Sequence, residues 1–263
     1  MRKSPVMRVS PYKLSIFQRC PLRYKFQYID FLGDKYKKEW PHFIFGRAIH
    51  KALADFFRVP PEGRTLDGLK HLLRQHWLRQ DRRVFKSAEE ERMWGEKALE
   101  VLEIYYHSED MSVRPEVIEE RLEVPIADFI LMGRVDRVDR LPDEGYELID
   151  YKTGTYVPSQ EEFDNDLQMS IYCLGLYHQR AIFASKLTAH YLQAGERLTT
   201  TRSKEDLDGA VEKIREIIAQ IEETEQFKPR VNPFCSWCDY LEICPASQQI
   251  ERVAAVEMED LPF

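Results

Sequence analysis

The stretch from Phe129 to Gly154, FILMGRVDRVDRLPDEGYELIDYKTG, constrains the fold of this chain more than any other part of it. Phe129–Arg140 and Tyr146–Lys152 read as strands, and Pro142-Asp143-Glu144-Gly145 between them is a turn signal, so the two form a hairpin. Side chains alternate along a strand, which points Asp150 and Lys152 to one side and Tyr151 to the other. A hairpin can bring Asp136, on its first strand, beside Asp150. Asp139 falls on the other face from Asp136 and reads as the salt-bridge partner of a nearby arginine.

The surroundings of the hairpin set the fold class. Val117–Val124 reads as a third strand. A helix follows from about Glu161 to Arg180, then a strand near Leu187–Ala194 and a long amphipathic helix from about Lys204 to Gln226. Upstream the pattern is helical. Ser10 as N-cap and Pro11 at the first helical position start a helix that carries Leu14 and Phe17 inward and that Pro21 is placed to bend. A second helix covers roughly Phe43 to Phe57. After the loop marked by Pro60, Pro61 and Gly63, two more run from Thr65 to about His107, with Leu66, Leu69, Leu72, Leu73 and Trp77 at helical spacing. The expected architecture is an α/β core sheet flanked by helices, with a helical N-terminal arm.

At 263 residues the chain suits one large domain or two small ones, and 43% hydrophobic residues are too many for disorder. No apolar run approaches the length of a membrane-spanning helix. MRKSPVMRVSPYK lacks the apolar stretch of a secretory signal, so the cytoplasm is the expected compartment. The net charge of −7 excludes a generally basic coat for nucleic acid. Local basic surface remains open, because Arg19, Arg23, Lys25, Lys35, Lys37 and Lys38 cluster in one segment, while the tail from Glu251 to Asp260 is acidic. From charge alone such clusters read first as solvated helix faces, with a positive groove as the alternative.

Two convergent carboxylates are hard oxygen ligands suited to Mg²⁺ or Mn²⁺. A lysine beside them can orient an attacking water and stabilise the negative charge of an attacked phosphate. Asp-x-Lys alone is common on solvated strand edges. Here apolar Leu148-Ile149 leads into Asp150, and Gly133 permits close backbone approach near Asp136.

Five cysteines without a secretory signal favour metal binding over a disulfide framework. Cys235-x-x-Cys238 is followed by Cys244, and Cys20 is the natural fourth ligand. Zinc and an iron–sulfur cluster would both accept these four thiols, and spacing does not separate them. Cys173, in an apolar helix, reads as a buried structural thiol.

Gly133–Asp136 (G-x-x-D) followed by Asp150–Gly154 (D-Y-K-T-G) resembles the PD-(D/E)XK nuclease superfamily. The closest likeness is to its RecB-like exonuclease branch, which includes the AddB nuclease domain and CRISPR-associated RecB-like exonucleases. The G-x-x-x-H of Gly46–His50, the Q-x-x-x-Y of Gln168–Tyr172 and the cysteine set match that branch in order, so the likeness runs from Cys20 to Cys244. It implies a restriction-endonuclease-like core at 115–226 behind a mostly helical arm at 10–110, with a cysteine-rich staple at 233–245. All of these belong to a single nuclease domain.

The same resemblance assigns roles. His50, Asp136, Asp150 and the backbone carbonyl of Tyr151 would hold Mg²⁺ or Mn²⁺, and Lys152 would position or activate water. Gln168 and Tyr172, one helical turn apart, would contact Lys152 or the DNA. Relatives often carry an acidic residue on the preceding strand. Glu119, Glu120 and Glu123 are all available for that place, and the sequence does not choose among them. Cys20, Cys235, Cys238 and Cys244 would hold a structural 4Fe-4S cluster. The implied function is hydrolysis of DNA from single-stranded ends. Any helicase would be a separate chain, since no G-x-x-x-x-G-K-[ST] motif occurs; CRISPR adaptation proteins are the other implied partners. Tyr24, Phe26 and Trp77 would be available for base stacking if they are not core residues. Two rival readings are an inactive nuclease-like module that only binds DNA, and a redox-sensing iron–sulfur protein.

Overall fold

A computed structural model of the protein describes residues 6–126, 128–142 and 144–250. A short strand, β1 (Met7–Val9), leads into α1 (Pro11–Arg19), where the Ser10 hydroxyl accepts from the Lys13 amide and Pro11 sits in the first turn. Pro21 does not bend this helix. It starts a second one, α2 (Pro21–Tyr28), with Cys20 extended between the two. One turn, α3 (Gly33–Tyr36), precedes three longer helices, α4 (Pro41–Arg58), α5 (Leu66–Leu78) and α6 (Ala88–Ser108). Thr65 and Ser87 cap α5 and α6, each accepting from the amide three residues on.

The second half supplies most of the sheet: β2 (Pro115–Ile126), β3 (Phe129–Arg140) and β4 (Tyr146–Lys152), with the hairpin strands bounded as the sequence predicts. Asp143 of the connecting turn and the acidic tail lie outside the described residues. The helix expected over 161–180 is instead two, α7 (Gln160–Asp164) and α8 (Leu167–Arg180). Asp166 interrupts them because its side chain caps α8, accepting from the Gln168 and Met169 amides. The expected strand at 187–194 is β5 (Lys186–Tyr191). It turns through Gly195, at φ +67°, into a hairpin partner absent from the sequence reading, β6 (Glu196–Thr200). The long helix, α9 (Lys204–Glu223), ends three residues early, and the short α10 (Ser247–Ile250) closes the described chain.

The six strands form one mixed sheet in the order β1-β3-β4-β5-β6, with β2 on the other edge of β3. Helices cover both faces. Leu131, Val135, Leu148 and Leu187 pack with α1, α8 and α9 in one core, and Ile149 and Tyr151 pack with α4, α5 and α6 in the other. Glycines let α8 lie close on the sheet: a Cβ on Gly175 would meet Leu122 at 2.6 Å, and one on Gly133 would meet the Tyr172 ring at 2.9 Å.

Besides the irregularity between Pro115 and Val117, the in-and-out alternation of β2 and β3 slips in mid-strand. On β3 the residues in the first core are Phe129, Leu131 and Val135, then Val138; on β2 they are Ile126, Val124 and Leu122, then Val117. The slip falls between the pairs Glu120↔Val135 and Ile118↔Arg137, at Glu119 and Asp136. Glu119 takes a left-handed φ of +51° there, a conformation that costs a residue with a side chain about 1–2 kcal/mol.

Candidate active site

The β3–β4 ladder runs from Arg140↔Tyr146 to Arg137↔Ile149 and stops. At that point the two strands part, and the Tyr151 amide donates to Asp136 Oδ2 at 2.8 Å. Asp136 and Asp150 are thus brought to one place, both buried. α4 reaches the same place because Gly46 lies against Thr153, just past β4; a Cβ on Gly46 would meet the Thr153 hydroxyl at 2.8 Å. One turn further along α4, His50 Nδ1 lies 3.1 Å from Asp136 Oδ1.

From the other side α8 delivers Gln168. Its carboxamide oxygen accepts from Lys152 Nζ at 2.9 Å, and its nitrogen donates to Asp150 Oδ1 at 3.1 Å and to the Tyr172 hydroxyl at 2.9 Å. Lys152 Nζ lies 2.8 Å from Asp150 Oδ2 as an ion pair. That contact is not aligned as a hydrogen bond, and among the described residues no group donates one to this buried oxygen.

Of the three glutamates that the sequence left open, Glu119 is the one at the site. His50, Glu119 and Asp136 each bring a ligand atom within 4.8 Å of the other two. Lys51 and Arg134 reach the same Glu119 oxygen at 3.0 and 3.2 Å. Glu120 instead pairs with Arg180, and Glu123 pairs with Arg8. Asp139 accepts from Arg137 Nε at 2.8 and 2.9 Å on the opposite sheet face, the arginine partnership read from its position.

Burial penalises every charge here, and the neighbours decide the outcome. The His50 imidazole is disfavoured as a cation by burial, but Asp136, Asp150 and Glu119 outweigh this and raise its pKa. For Asp136 the burial penalty is overcome by His50 and the Tyr151 amide, which hold the carboxyl below its ordinary range. Asp150 goes the other way, raised by burial and by Asp136 against the pull of Lys152. Lys152 is penalised by burial, yet Asp150 lifts its pKa above the usual value, so it stays an ammonium. A buried carboxylate with an open lone pair, beside two more carboxylates and an imidazole, is a donor set that suits a hard divalent cation. These residues line a cavity of about 770 Å³ together with Phe43, Arg47, Lys51 and Arg134 of α4 and β3.

The four cysteines named from spacing line a second, separate cavity between α1, α2 and residues 229–250. None is in a disulfide. Backbone amides are directed at the sulfurs: Arg230 donates to Cys20 Sγ at 3.5 Å and Asn232 to Cys235 Sγ at 3.3 Å, while the Tyr240 amide bonds Cys238. No three of these sulfurs come within 4.8 Å of one another. Burial raises the Cys235 and Cys238 thiols. Cys173 is buried in α8, where burial pushes its pKa up to about 11. Of the aromatics suggested for stacking, Tyr24 and Trp77 are core residues, and Phe26 packs on Tyr240.

A mixed sheet flanked by helices, with a D…D-x-K pair on a hairpin beside a histidine-bearing helix, defines a metal-dependent nuclease fold of the restriction-endonuclease type. The model of the PD-(D/E)XK nuclease superfamily matches residues 8–245, and the chain belongs to that superfamily. Among solved structures it is similar to one described as "Crystal structure of SSO0001", with 16% identity, 92% of this chain and 88% of that chain covered, and a TM-score of 0.44. No curated protein matches it. Membership implies a metal-dependent nuclease, and no helix among the described residues is long and apolar enough to cross a membrane.

Proposed function

We propose that the chain is a Mg²⁺- or Mn²⁺-dependent deoxyribonuclease that degrades DNA from single-stranded ends and carries a structural 4Fe-4S cluster. The observation that carries the nuclease reading is the convergence of His50, Asp136, Asp150, Lys152 and Gln168 on one cavity. His50, Glu119, Asp136 and Asp150, with the carbonyl of Tyr151, would hold the cation. Bound there, it supplies Lewis-acid stabilisation of the charge that builds on an attacked phosphate.

The chain's own groups do the rest. Lys152, kept as an ammonium by Asp150, orients the attacking water and meets developing negative charge. Gln168 fixes Lys152 and Asp150 relative to each other through its two ends, and Tyr172 fixes Gln168. The exonuclease character, the preference for single-stranded ends and the partnership with a separate helicase or with CRISPR adaptation proteins rest on the likeness of motif order to the RecB-like branch.

The cluster reading is supported by four unpaired thiols on one cavity and by amide donors aimed at their sulfurs.

The test is digestion of end-labelled single- and double-stranded DNA with Mn²⁺ and with EDTA. Mn²⁺-dependent release of short products from single-stranded ends is the expected result. Binding without cleavage would instead support an inactive DNA-binding module.

A further inference from the structure

We infer that an exposed stripe on α4, Phe43, Arg47 and Lys51, faced by Arg134 of β3, is the track for a single strand of DNA, with Phe43 stacking on a base close to the cleaved phosphodiester. This rests on the nuclease reading of the same cavity and extends it to how substrate is held.

The three α4 residues are four apart, so they form one ridge along the helix. Phe45, Ile49, Ala52 and Phe56, buried residues of α4, occupy the opposite side. The stripe therefore carries no part of the core. It runs beside the ridge of Gly46 and His50, which docks α4 on Thr153 and Asp136, and all of these line the one cavity. Its members sit half in solvent: Arg47, Lys51 and Arg134 have side chains 46%, 45% and 45% exposed, and Phe43 is 42% exposed. Arg47 pairs with the part-exposed Glu39, while Lys51 and Arg134 each give one donor to the buried side chain of Glu119 and keep their remaining N–H groups for a phosphate. A part-exposed pair such as Arg47–Glu39 is weak enough for a phosphate to replace the acid.

Chemistry and spacing select the ligand. Cations with an aromatic face in line suit a phosphate backbone with a free base. Phe43 lies seven residues before His50, about 10 Å along the helix at 1.5 Å per residue. A base within that reach of the cleaved bond meets the ring only if it is out of a duplex, since a paired base is stacked on its neighbours. The aromatic therefore selects a single strand.

The experiment measures binding of a short end-labelled deoxyoligonucleotide to the full chain in EDTA, where cleavage does not interfere, with abasic sites introduced one position at a time. In the parent, one position near the end should weaken binding about 10-fold, the weight of one stacked base. That penalty should vanish in Phe43→Ala and return in Phe43→Trp. Arg47→Ala and Lys51→Ala should each lower the slope of log affinity against log salt by about 0.7. Circular dichroism of each variant confirms its fold. An abasic profile unchanged by Phe43→Ala, or tighter binding of duplex than of single strand, overturns the inference. A flat profile in a parent that cleaves with Mn²⁺ removes the track alone, whereas a parent that neither binds nor cleaves DNA removes the nuclease reading with it.

Discussion

The amide of Tyr151 donates to the carboxylate of Asp136 at the residue where the ladder between their strands stops. One side chain thus takes the place of a backbone acceptor, and the strands part without leaving a buried N–H unpaired. The opening so made is where α4 brings His50 and α8 brings Gln168. On the far face, the Tyr151 hydroxyl meets those of Tyr105 at 2.8 Å and the Arg137 guanidinium at 3.0 Å, which ties the same strand to α6.

Lys152→Ala should lower Mn²⁺-dependent cleavage at least about 100-fold, the scale of losing one electrostatic stabiliser, while far-UV circular dichroism stays that of the parent. Asp150→Ala should do the same. Cleavage by either variant at near the parental rate would displace the reaction from this cavity.

Glu119 separates strain from chemistry. Glu119→Gly relieves the left-handed strain and should melt within about 1 kcal/mol of the parent, whereas Glu119→Ala keeps the strain and should melt lower. Both should bind Mn²⁺ more weakly by calorimetry. A Glu119→Gly protein with parental Mn²⁺ affinity would take this carboxylate out of the donor set.

His190 sets an acid limit on stability. It is buried beside Tyr105 and Tyr151, and burial, with Arg197 and Arg137, pushes its pKa down to about 4. In the unfolded chain it protonates near 6.5, so between pH 6.5 and 4 the unfolded state binds the extra proton. Stability is full above pH 6.5 and falls as pH drops through that window, by up to about 3 kcal/mol. His42, also lowered to about 4 by burial, adds to the loss. Urea midpoints at pH 7 and pH 5 measure it: a lower midpoint at pH 5, with part of the difference gone in His190→Gln, is expected. Equal midpoints for the parent would show that His190 is not neutral in the fold.

Protein purified without air should hold about four irons per chain and absorb broadly near 400 nm, the mark of a 4Fe-4S cluster on Cys20, Cys235, Cys238 and Cys244. One zinc and no iron would refute the cluster. Cys235→Ala should lower the melting temperature first and cleavage only as a consequence. A variant that melts like the parent yet does not cleave would give the cysteines a part in the chemistry.

Where local chemistry sets structure, the sequence is a good guide. The ends of β3 and β4 are legible because Pro142 and Gly145 punctuate two β-rich runs, and α1 because Ser10-Pro11 is a start signal. The split at Asp166 is not, since a mid-helix aspartate looks like a surface residue until its oxygen is seen capping α8. β6 is polar along most of its length and gains its place by pairing with β5. Motif order named His50, Asp136, Asp150, Lys152, Gln168 and Tyr172, and the fold gathers all six at one cavity. Glu119 is hidden among three glutamates because the left-handed turn of its backbone, which selects it, leaves no mark in the sequence. Phe43, Arg47 and Lys51 show their spacing in the sequence, but which side of α4 meets the sheet is decided at Gly46 and Thr153.

The seam between α2 and the cysteine-rich segment joins residues made far apart in time. Cys20 accepts from the amide of Arg230, 210 positions later, and Phe17 and Tyr24 pack on Phe227. At roughly 5–20 residues per second, a ribosome takes on the order of 10–40 s to span that distance. For that interval the aromatic faces of α1 and α2 lack Phe227, and the thiol of Cys20 waits for its three companions. The four thiols therefore stand together only after Cys244 has been made, and anything that needs all of them is denied to the growing chain until then.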